Sequence, residues 1–251
     1  MRLNRFFTKR ENLTMGSSIL LEEEDTNHIK KVLRLGKGDE IIIFNGEKEF
    51  LAELTLVSKE AVMADIKKLL RQEDFSGENR VEITLIQALL RAGNFDVVVE
   101  KATEIGVDYI VPLEAEYSQM KTDVAEKKLE RWNKISLAAS KQSERIRIPE
   151  ITAPIKFADI SKIVDEFDKV YLFTIDRDSL KDIAEIKPLS KEIKKSKHIA
   201  VIIGPEGGFS PAEHKMARDF NFEFVSIGRT ILRAETASIV ALGIVNFLYN
   251  N

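Results

Sequence analysis

Two stretches near the end of the chain combine residue types that could do chemistry. The first, GPEGGFS at residues 204–210, directly follows the apolar run His198–Ile203. Glycines let a ligand approach backbone N–H groups, and ligands of open α/β sheets bind at the carboxyl ends of strands. A ligand loop is therefore one interpretation, and a plain turn is the other. The glycine spacing matches neither GxxxxGK[ST] nor GxGxxG, the phosphate-loop and dinucleotide motifs.

The second stretch is GRTILRAETA at residues 228–237. Ile231 and Leu232 lie there within a polar segment that carries Arg229, Arg233 and Glu235. Loops ordinarily expose polar side chains, so apolar residues inside one indicate a pocket floor or a loop covered by another segment.

Two domains are predicted to position these loops. Residues 1–72 read as strands around an Asn45-Gly46 hairpin signal, which favours a small antiparallel β-barrel. The polar segment 71–80 marks the boundary, and residues 73–251 alternate strands with helices, as in a mostly parallel sheet covered by helices. The strands predicted in this second domain are 81–89, 107–113, 170–174, 198–203 and 222–227.

The helices of the second domain are predicted from caps and periodicity. Asp123–Glu126 and Ser210–Glu213 have the spacing of capping boxes that open helices. The last helix, residues 239–249, is apolar nearly all round, which predicts burial on every side, in the core or at a subunit interface. The other predicted helices are Asn94–Ile105, ended by Gly106, and Lys156–Phe167, and Trp132 is expected in the core.

Composition excludes several function classes. With 251 residues and no cysteine, the chain has no disulfide, thiol nucleophile or zinc-finger motif. His28, His198 and His214 are too far apart for a metal-binding helix, so no metal is expected. We find no signal peptide and no window of eighteen apolar residues, which predicts a cytoplasmic protein without membrane contact.

The chain has 38 Lys and Arg and 41 Asp and Glu, which gives a net charge of −3. Its positive charge is nevertheless concentrated in a few segments. A solvated lysine-rich surface explains most such runs. Four runs together predict an RNA partner. They are Arg2–Arg10, His28–Arg34, Lys127–Arg147 and Lys187–His198.

The two loops, Ile202–Ser210 and Ile227–Ala237, closely resemble the signature stretches of the bacterial RsmE family, which are 16S ribosomal RNA uridine N3-methyltransferases of the SPOUT class. The resemblance spans the chain. Arg5–Phe7 and His28–Arg34 match the family's PUA-like barrel, and Lys101–Gly106 and Lys141–Glu150 match its middle segments.

This resemblance implies an α/β domain with a trefoil knot, a homodimer, and S-adenosylmethionine held in a bent conformation by the two loops. A dimer agrees with the apolar last helix. The cofactor contacts implied by the resemblance are Phe173, Thr174, Ile203, Gly204, Gly208, Ile227, Gly228, Ile231, Leu232 and Thr236.

Methylation at uridine N3 requires an unpaired base, and loss of the N3 proton leaves negative charge on the uracil oxygens. Arg233 is the expected stabilising cation, with Glu235 or Glu206 as proton acceptor. A phosphate contact for Arg233 and helix capping for Glu235 are the alternatives. Expected RNA contacts are Arg5, Lys30, Lys31, Arg34, Lys101, Arg145, Arg147 and Arg229.

Some positions depart from the family pattern. Tyr117 stands where an arginine is often found, and Glu144 replaces a common glycine. The other departures are Asn94, Glu100 and Thr230. Thr230 stands where many members of the family have an arginine, and Arg229 is expected to substitute for it. The rival functions are methylation of ribose 2′-O on transfer RNA by a related SPOUT enzyme and a non-catalytic RNA-binding assembly factor.

Overall fold

A computed structural model describes residues 3–73, 80–91, 93–174, 193 and 195–250. The chain divides into two compact units. The first comprises Met1–Phe75 and Ser140–Ile148, and the second comprises Ser76–Ala139 and Pro149–Asn251. The predicted boundary after residue 72 differs in one main respect, because Ser140–Ile148 was expected in the second domain and packs within the first unit. Most of the polar boundary segment 71–80 lies outside the described residues.

The first unit contains one five-stranded sheet in the order β1-β3-β4-β5-β2. Its pairings are antiparallel except for β1, which runs parallel to β3, so the expectation of a wholly antiparallel domain is wrong at this edge. The predicted hairpin joins β3 to β4, where the Asn45 side-chain oxygen accepts from the Lys48 N–H at 2.9 Å. The strands are β1 (Arg5–Phe7), β2 (Ser18–Leu20), β3 (Glu40–Phe44), β4 (Lys48–Val57) and β5 (Val62–Gln72).

A short helix, α1 (Glu23–Asn27), continues directly into a π-helical segment at His28–Leu33. Ile29 is fully buried there, whereas Lys31 and Arg34 are exposed. Arg34 ends the segment in the left-handed region with φ of 54°. Burial of Ile29 thus anchors the segment and leaves Lys31 and Arg34 exposed to solvent.

The second unit is built on a parallel sheet in the order β12-β10-β11-β6-β7-β8, with β9 pairing β7. Apolar clusters cover both of its faces. Trp132 is fully buried as predicted, and its ring centroid lies 4.3 Å from that of Phe95. The strands are β6 (Glu82–Ala88), β7 (Tyr109–Glu114), β8 (Glu150–Ile151), β9 (Ile155–Lys156), β10 (Lys169–Phe173), β11 (His198–Ile203) and β12 (Glu223–Val225).

Two of the predicted helices differ from the structure. The helix expected to open at the Asp123–Glu126 capping box is instead two helices, α3 (Thr122–Glu126) and α4 (Leu129–Gln142), and no side chain in the described part of the chain caps the start of α3. The first N–H of α3, that of Thr122, donates to the Glu114 carboxylate at 2.8 Å. The helix therefore begins one residue N-terminal to Asp123, which cannot act as its cap. Residues 156–167 form two short 3₁₀ helices, Phe157–Lys162 and Val164–Glu166, rather than one α-helix.

The remaining helices are α2 (Asn94–Ile105), α5 (Pro211–Asp219) and α6 (Ala234–Asn250). The Ser210–Glu213 capping box at the start of α5 is confirmed. Helix α6 begins earlier than predicted and is not buried on every side, because Gly243 and Phe247 are exposed along one face, Phe247 to 64%. Within the described part of the chain, no helix is long and apolar enough to span a membrane.

Candidate active site

A cleft of about 470 Å³ opens at the carboxyl ends of three neighbouring parallel strands, β12, β10 and β11. The segments that follow these strands, at Ser226, Thr174 and Gly204, line it together with the start of α6. Its volume lies in the range of small-molecule sites, which is about 300–1,000 Å³. The edge of the sheet that the sequence predicted to bind a ligand therefore holds a cavity large enough for one.

The structure brings most of the predicted site residues to this cleft. Arg233, Glu235 and Glu206 line it, as do all the expected cofactor residues except Thr236, which is exposed on α6. Arg229 does not line the cleft, but Thr230 does. The lining residues that were not predicted as contacts and lie outside the two predicted loops are Arg91, Asn94 and Ser226. Within the loops, the lining residues that were not predicted as contacts are, besides Thr230, Pro205, Phe209, Ala234 and Ala237.

The glycine-rich loop is shaped by close packing. A side chain at Gly204 would bring its Cβ within 3.1 Å of the Phe209 ring, which lines the cleft, so only glycine fits without displacing that ring. The loop then enters α5 through the capping box, in which the Ser210 N–H donates to the Glu213 carboxylate at 2.8 Å. The loop is therefore fixed at both ends before any ligand binds.

Glu213 also ties this loop to a second one. Its carboxylate is buried and accepts the Glu116 N–H at 2.8 Å through its other oxygen. Glu116 belongs to the segment after β7, whose Tyr117 side chain contacts Gly207. A cap that the sequence predicted for one helix thus also holds a neighbouring loop against the glycine-rich loop.

The loop after β12 has its own internal support. The Ser226 hydroxyl donates to the Gly228 carbonyl at 3.1 Å and accepts from the Gly228 N–H at 3.3 Å. Beyond this turn, Ile231 is 79% exposed although it lines the cleft, and Leu232 is partly buried. Apolar side chains are therefore available at the open side of the cavity.

Two carboxylates that line the cleft differ in burial and in hydrogen bonding. Glu235 lies in the first turn of α6, and its Oε2 is buried without a hydrogen-bond partner among the described residues. Glu206 is exposed, and its Oε1 accepts from the Arg91 N–H at 3.3 Å. An unpaired buried acceptor costs about 1–3 kcal/mol, so a ligand that brings a donor or a positive charge to Glu235 would gain that energy.

The expected RNA contact at Arg5 is wrong. The Arg5 side chain is 3% exposed and pairs with the Glu49 carboxylate. It also donates to the carbonyls of Ser140 at 2.9 Å and Arg145 at 3.0 Å, and its guanidinium lies over the Phe44 ring. Arg5 is therefore a structural residue that holds segment 140–148 in the first unit.

The other expected RNA contacts are placed differently. Lys31 and Arg34 are exposed on the π-helical segment and its end, while the Lys30 ammonium donates to the Lys59 carbonyl at 2.7 Å. Lys101 pairs with two carboxylates of its own helix, and the hydrogen bonds that its ammonium donates to Glu100 and Glu104 raise its pKa. Arg145 and Arg147 are partly buried in segment 140–148. In the basic run at 187–198, residues 187–192 and 194 lie outside the described residues, whereas Lys195, Lys197 and His198 lie within them.

One departure from the family pattern has a structural explanation. Glu144 has φ of 61°, in the left-handed region that favours glycine. Its carbonyl accepts from the Arg71 guanidinium at 2.9 Å. The common glycine at this position would adopt the same backbone conformation without strain.

Comparison with known proteins assigns the chain to a family. A family model described as an RNA methyltransferase domain matches residues 77–246, and one described as an RNA methyltransferase PUA domain matches residues 21–67. The chain belongs to this RNA methyltransferase family. The second unit is thus the methyltransferase domain, with a parallel α/β sheet, and the first contains the PUA-like domain.

Relatives of this methyltransferase match nearly all of its length. The ribosomal RNA small subunit methyltransferase E of Mesomycoplasma hyopneumoniae is 31% identical, with 95% of this chain and 96% of the relative covered. The protein of the same name from Bacillus subtilis is 26% identical, with 98% and 96% covered.

Solved structures agree with this assignment. The ribosomal RNA small subunit methyltransferase E of Neisseria gonorrhoeae, bound to S-adenosyl methionine, is 28% identical and superposes with a TM-score of 0.82 over 98% of both chains. A Legionella pneumophila chain in complex with the bound cofactor SAM is 30% identical, with a TM-score of 0.82 over 98% of this chain and 97% of the other.

Proposed function

We propose that this chain transfers a methyl group from S-adenosylmethionine to N3 of a specific uridine in the 16S ribosomal RNA of the small subunit. The observation that carries the proposal is the cleft at the ends of β10, β11 and β12, in a chain whose full-length relatives are ribosomal RNA small subunit methyltransferases. A ribosomal substrate implies that the protein works in the cytoplasm.

The cleft residues fit this cofactor. Ile203, Ile227 and Leu232 supply apolar contacts for an adenine ring, and the glycine-rich backbone lets it approach N–H and C=O groups. Glu235 supplies a buried carboxylate oxygen that lacks a hydrogen-bond partner among the described residues, which suits the positive charges of S-adenosylmethionine. When bound, the cofactor supplies an electrophilic methyl group.

Charged residues of the chain can accept the proton from uridine N3 and stabilise the negative charge that its loss leaves on the base. Arg233 is exposed at the cleft and would stabilise negative charge on the uracil oxygens once N3 is deprotonated. Glu206 is the exposed carboxylate and would accept the N3 proton. Glu235, which is more buried, would hold the cofactor.

The decisive experiment follows methyl transfer from labelled S-adenosylmethionine to small subunits that lack the modification. We expect the label in 3-methyluridine after digestion. Label in a ribose-methylated nucleoside would instead indicate the related 2′-O activity, and RNA binding without label would indicate a non-catalytic assembly factor. Either of these results would overturn the proposal.

Two substitutions test the roles of the arginines. Arg233→Ala should abolish methyl transfer and leave cofactor affinity within a few-fold of wild type, because Arg233 is proposed to act on the base. Arg229→Ala, in the same loop but outside the cleft lining, is the matched control and should weaken RNA binding with little effect on kcat. Equal losses of cofactor binding and transfer in Arg233→Ala would refute its catalytic role.

A homodimer is also part of the proposal. The exposed face of α6, with Gly243 and Phe247, is apolar and lies on the methyltransferase domain. Phe247→Glu should convert a dimer to a monomer in light scattering, and a wild-type monomer would contradict the proposal. The trefoil knot implied by the resemblance remains a prediction.

A further inference from the structure

Tyr117 is a large aromatic residue held in an exposed position. Its side chain is 43% exposed although the loop around it is firmly anchored. The Ala115 N–H donates to the Ser118 hydroxyl at 3.0 Å, and the Glu116 N–H donates to the buried Glu213 carboxylate at 2.8 Å. The backbone on both sides of Tyr117 is therefore held by hydrogen bonds while the residue itself remains 43% exposed.

The tyrosine lies beside the cleft. A Cβ at Gly207 would come within 3.0 Å of the Tyr117 Cβ and 3.5 Å of its Cγ, so the side chain packs directly on this glycine. The residues on either side, Glu206 and Gly208, both line the cleft. Tyr117 is thus separated from the cavity only by the Glu206–Gly208 loop, on the surface that a large substrate would cover.

We propose that Tyr117 is a stacking platform for a nucleobase of the substrate RNA next to the target uridine, an inference that rests on the proposed function. The target base must leave its stack to reach the methyl group, and its neighbours then lose a stacking partner. An exposed aromatic ring beside the cleft can replace that partner, because bases stack on aromatic side chains.

The charges around Tyr117 favour a base over a phosphate. Glu116 and Glu206 are both exposed beside it and would repel a phosphate group. An uncharged base face meets no such repulsion. Both tyrosine rings and arginine guanidinium planes stack on unpaired RNA bases, so tyrosine in place of the family's common arginine keeps this capacity and removes the positive charge.

Cross-linking tests the contact directly. A single-stranded twelve-residue oligouridine carrying 5-iodouridine would be irradiated with the full-length protein and S-adenosylmethionine, and the adduct mapped by mass spectrometry. We expect an adduct on Tyr117, which Tyr117→Ala removes. Adducts confined to other residues would overturn the proposal.

Kinetics on small subunits that lack the modification test its contribution. Stacking is worth about 1–3 kcal/mol per base, so Tyr117→Ala should lower kcat/KM about 5-fold to 150-fold, chiefly through KM. Tyr117→Phe keeps the ring and should stay within about two-fold of wild type, with cofactor affinity unchanged in both variants. Equal kinetics for the alanine variant and wild type, or equal losses in both variants, would refute stacking.

The two proposals fail in distinguishable ways. If wild-type protein methylates no subunit, the proposed function fails, and the cross-link still decides whether RNA contacts Tyr117. If wild-type protein forms 3-methyluridine but the Tyr117→Ala variant matches it, only the platform fails.

Discussion

Replacing Glu49 with glutamine should strongly destabilise the first unit. The Glu49 side chain is 4% exposed and that of Arg5 is 3% exposed, so the substitution leaves a buried guanidinium without its carboxylate. Breaking a buried ion pair from one side costs about 3–5 kcal/mol. Glu49 also pairs with Arg71. Loss of this second ion pair adds little to the cost, because the Arg71 side chain is 49% exposed and water can solvate its charge. We therefore expect Glu49→Gln to lower the free energy of unfolding by about 3–5 kcal/mol.

The control is Glu53→Gln on the same strand. Glu53 pairs with Lys67, but both side chains are more than 40% exposed, 42% and 43% respectively, and exposed pairs contribute about 0–1 kcal/mol. Urea unfolding followed by far-UV circular dichroism gives both free energies, and hydrogen exchange reports protection of Ser140–Ile148. Equal costs for the two variants would refute the view that the buried pair holds this segment.

The same pair predicts a pH dependence. Burial alone would raise the pKa of Glu49, but hydrogen bonds from Arg71 and Arg5 outweigh it and lower the pKa below its usual value. A lowered carboxylate pKa contributes stability above the unfolded-state pKa, which is lost as the pH falls through the folded-state pKa. The stability difference between wild type and Glu49→Gln should therefore shrink as the pH is lowered below the ordinary glutamate pKa of about 4.3. A constant difference down to acid unfolding would contradict this.

Three further outcomes follow from local geometry. Glu144→Gly should raise the free energy of unfolding by at most about 1 kcal/mol, because glycine adopts the positive φ of 61° without strain, although it loses more backbone entropy on folding. Urea unfolding measures this change, and a clear loss of stability would contradict the strain argument. Ser210→Ala removes the α5 cap and should cost about 1 kcal/mol in the same assay, whereas no change would mean that the cap is dispensable. Gly204→Ala pushes its Cβ to 3.1 Å from the Phe209 ring and should weaken S-adenosylmethionine binding by calorimetry, while Gly36→Ala, which meets nothing within 4 Å, should not.

Local patterns predicted much of the methyltransferase domain. The apolar run at His198–Ile203 and the capping box at Ser210–Glu213 each specify their element without help from the rest of the chain. Together they fix a strand, a loop and a helix start, which place the glycine-rich loop at a sheet edge. That is why the cleft could be anticipated from the sequence.

Features that depend on distant partners could not be anticipated. Arg91 reaches the cleft because β6 lies beside β11, and strand order does not follow from any local pattern. Asp123 has the right spacing for a cap, but the Glu114 carboxylate from β7 accepts the Thr122 N–H and sets the start of the helix. Arg5 sits in a basic run that looks solvated, and only the fold shows that Glu49 and the carbonyls of a remote segment surround it.

The split composition of the first unit sets an order of events during synthesis. Its sheet is complete once Gln72 has been made, but the carbonyls that accept hydrogen bonds from Arg5 lie in a segment that ends at Ile148, 76 residues later. Chains grow at about 5–20 residues per second, so the unit waits several seconds for its last piece. During that interval the Arg5 guanidinium has Glu49 but lacks its carbonyl acceptors, so the first unit cannot finish folding until residues 76–139 of the second unit have also been translated.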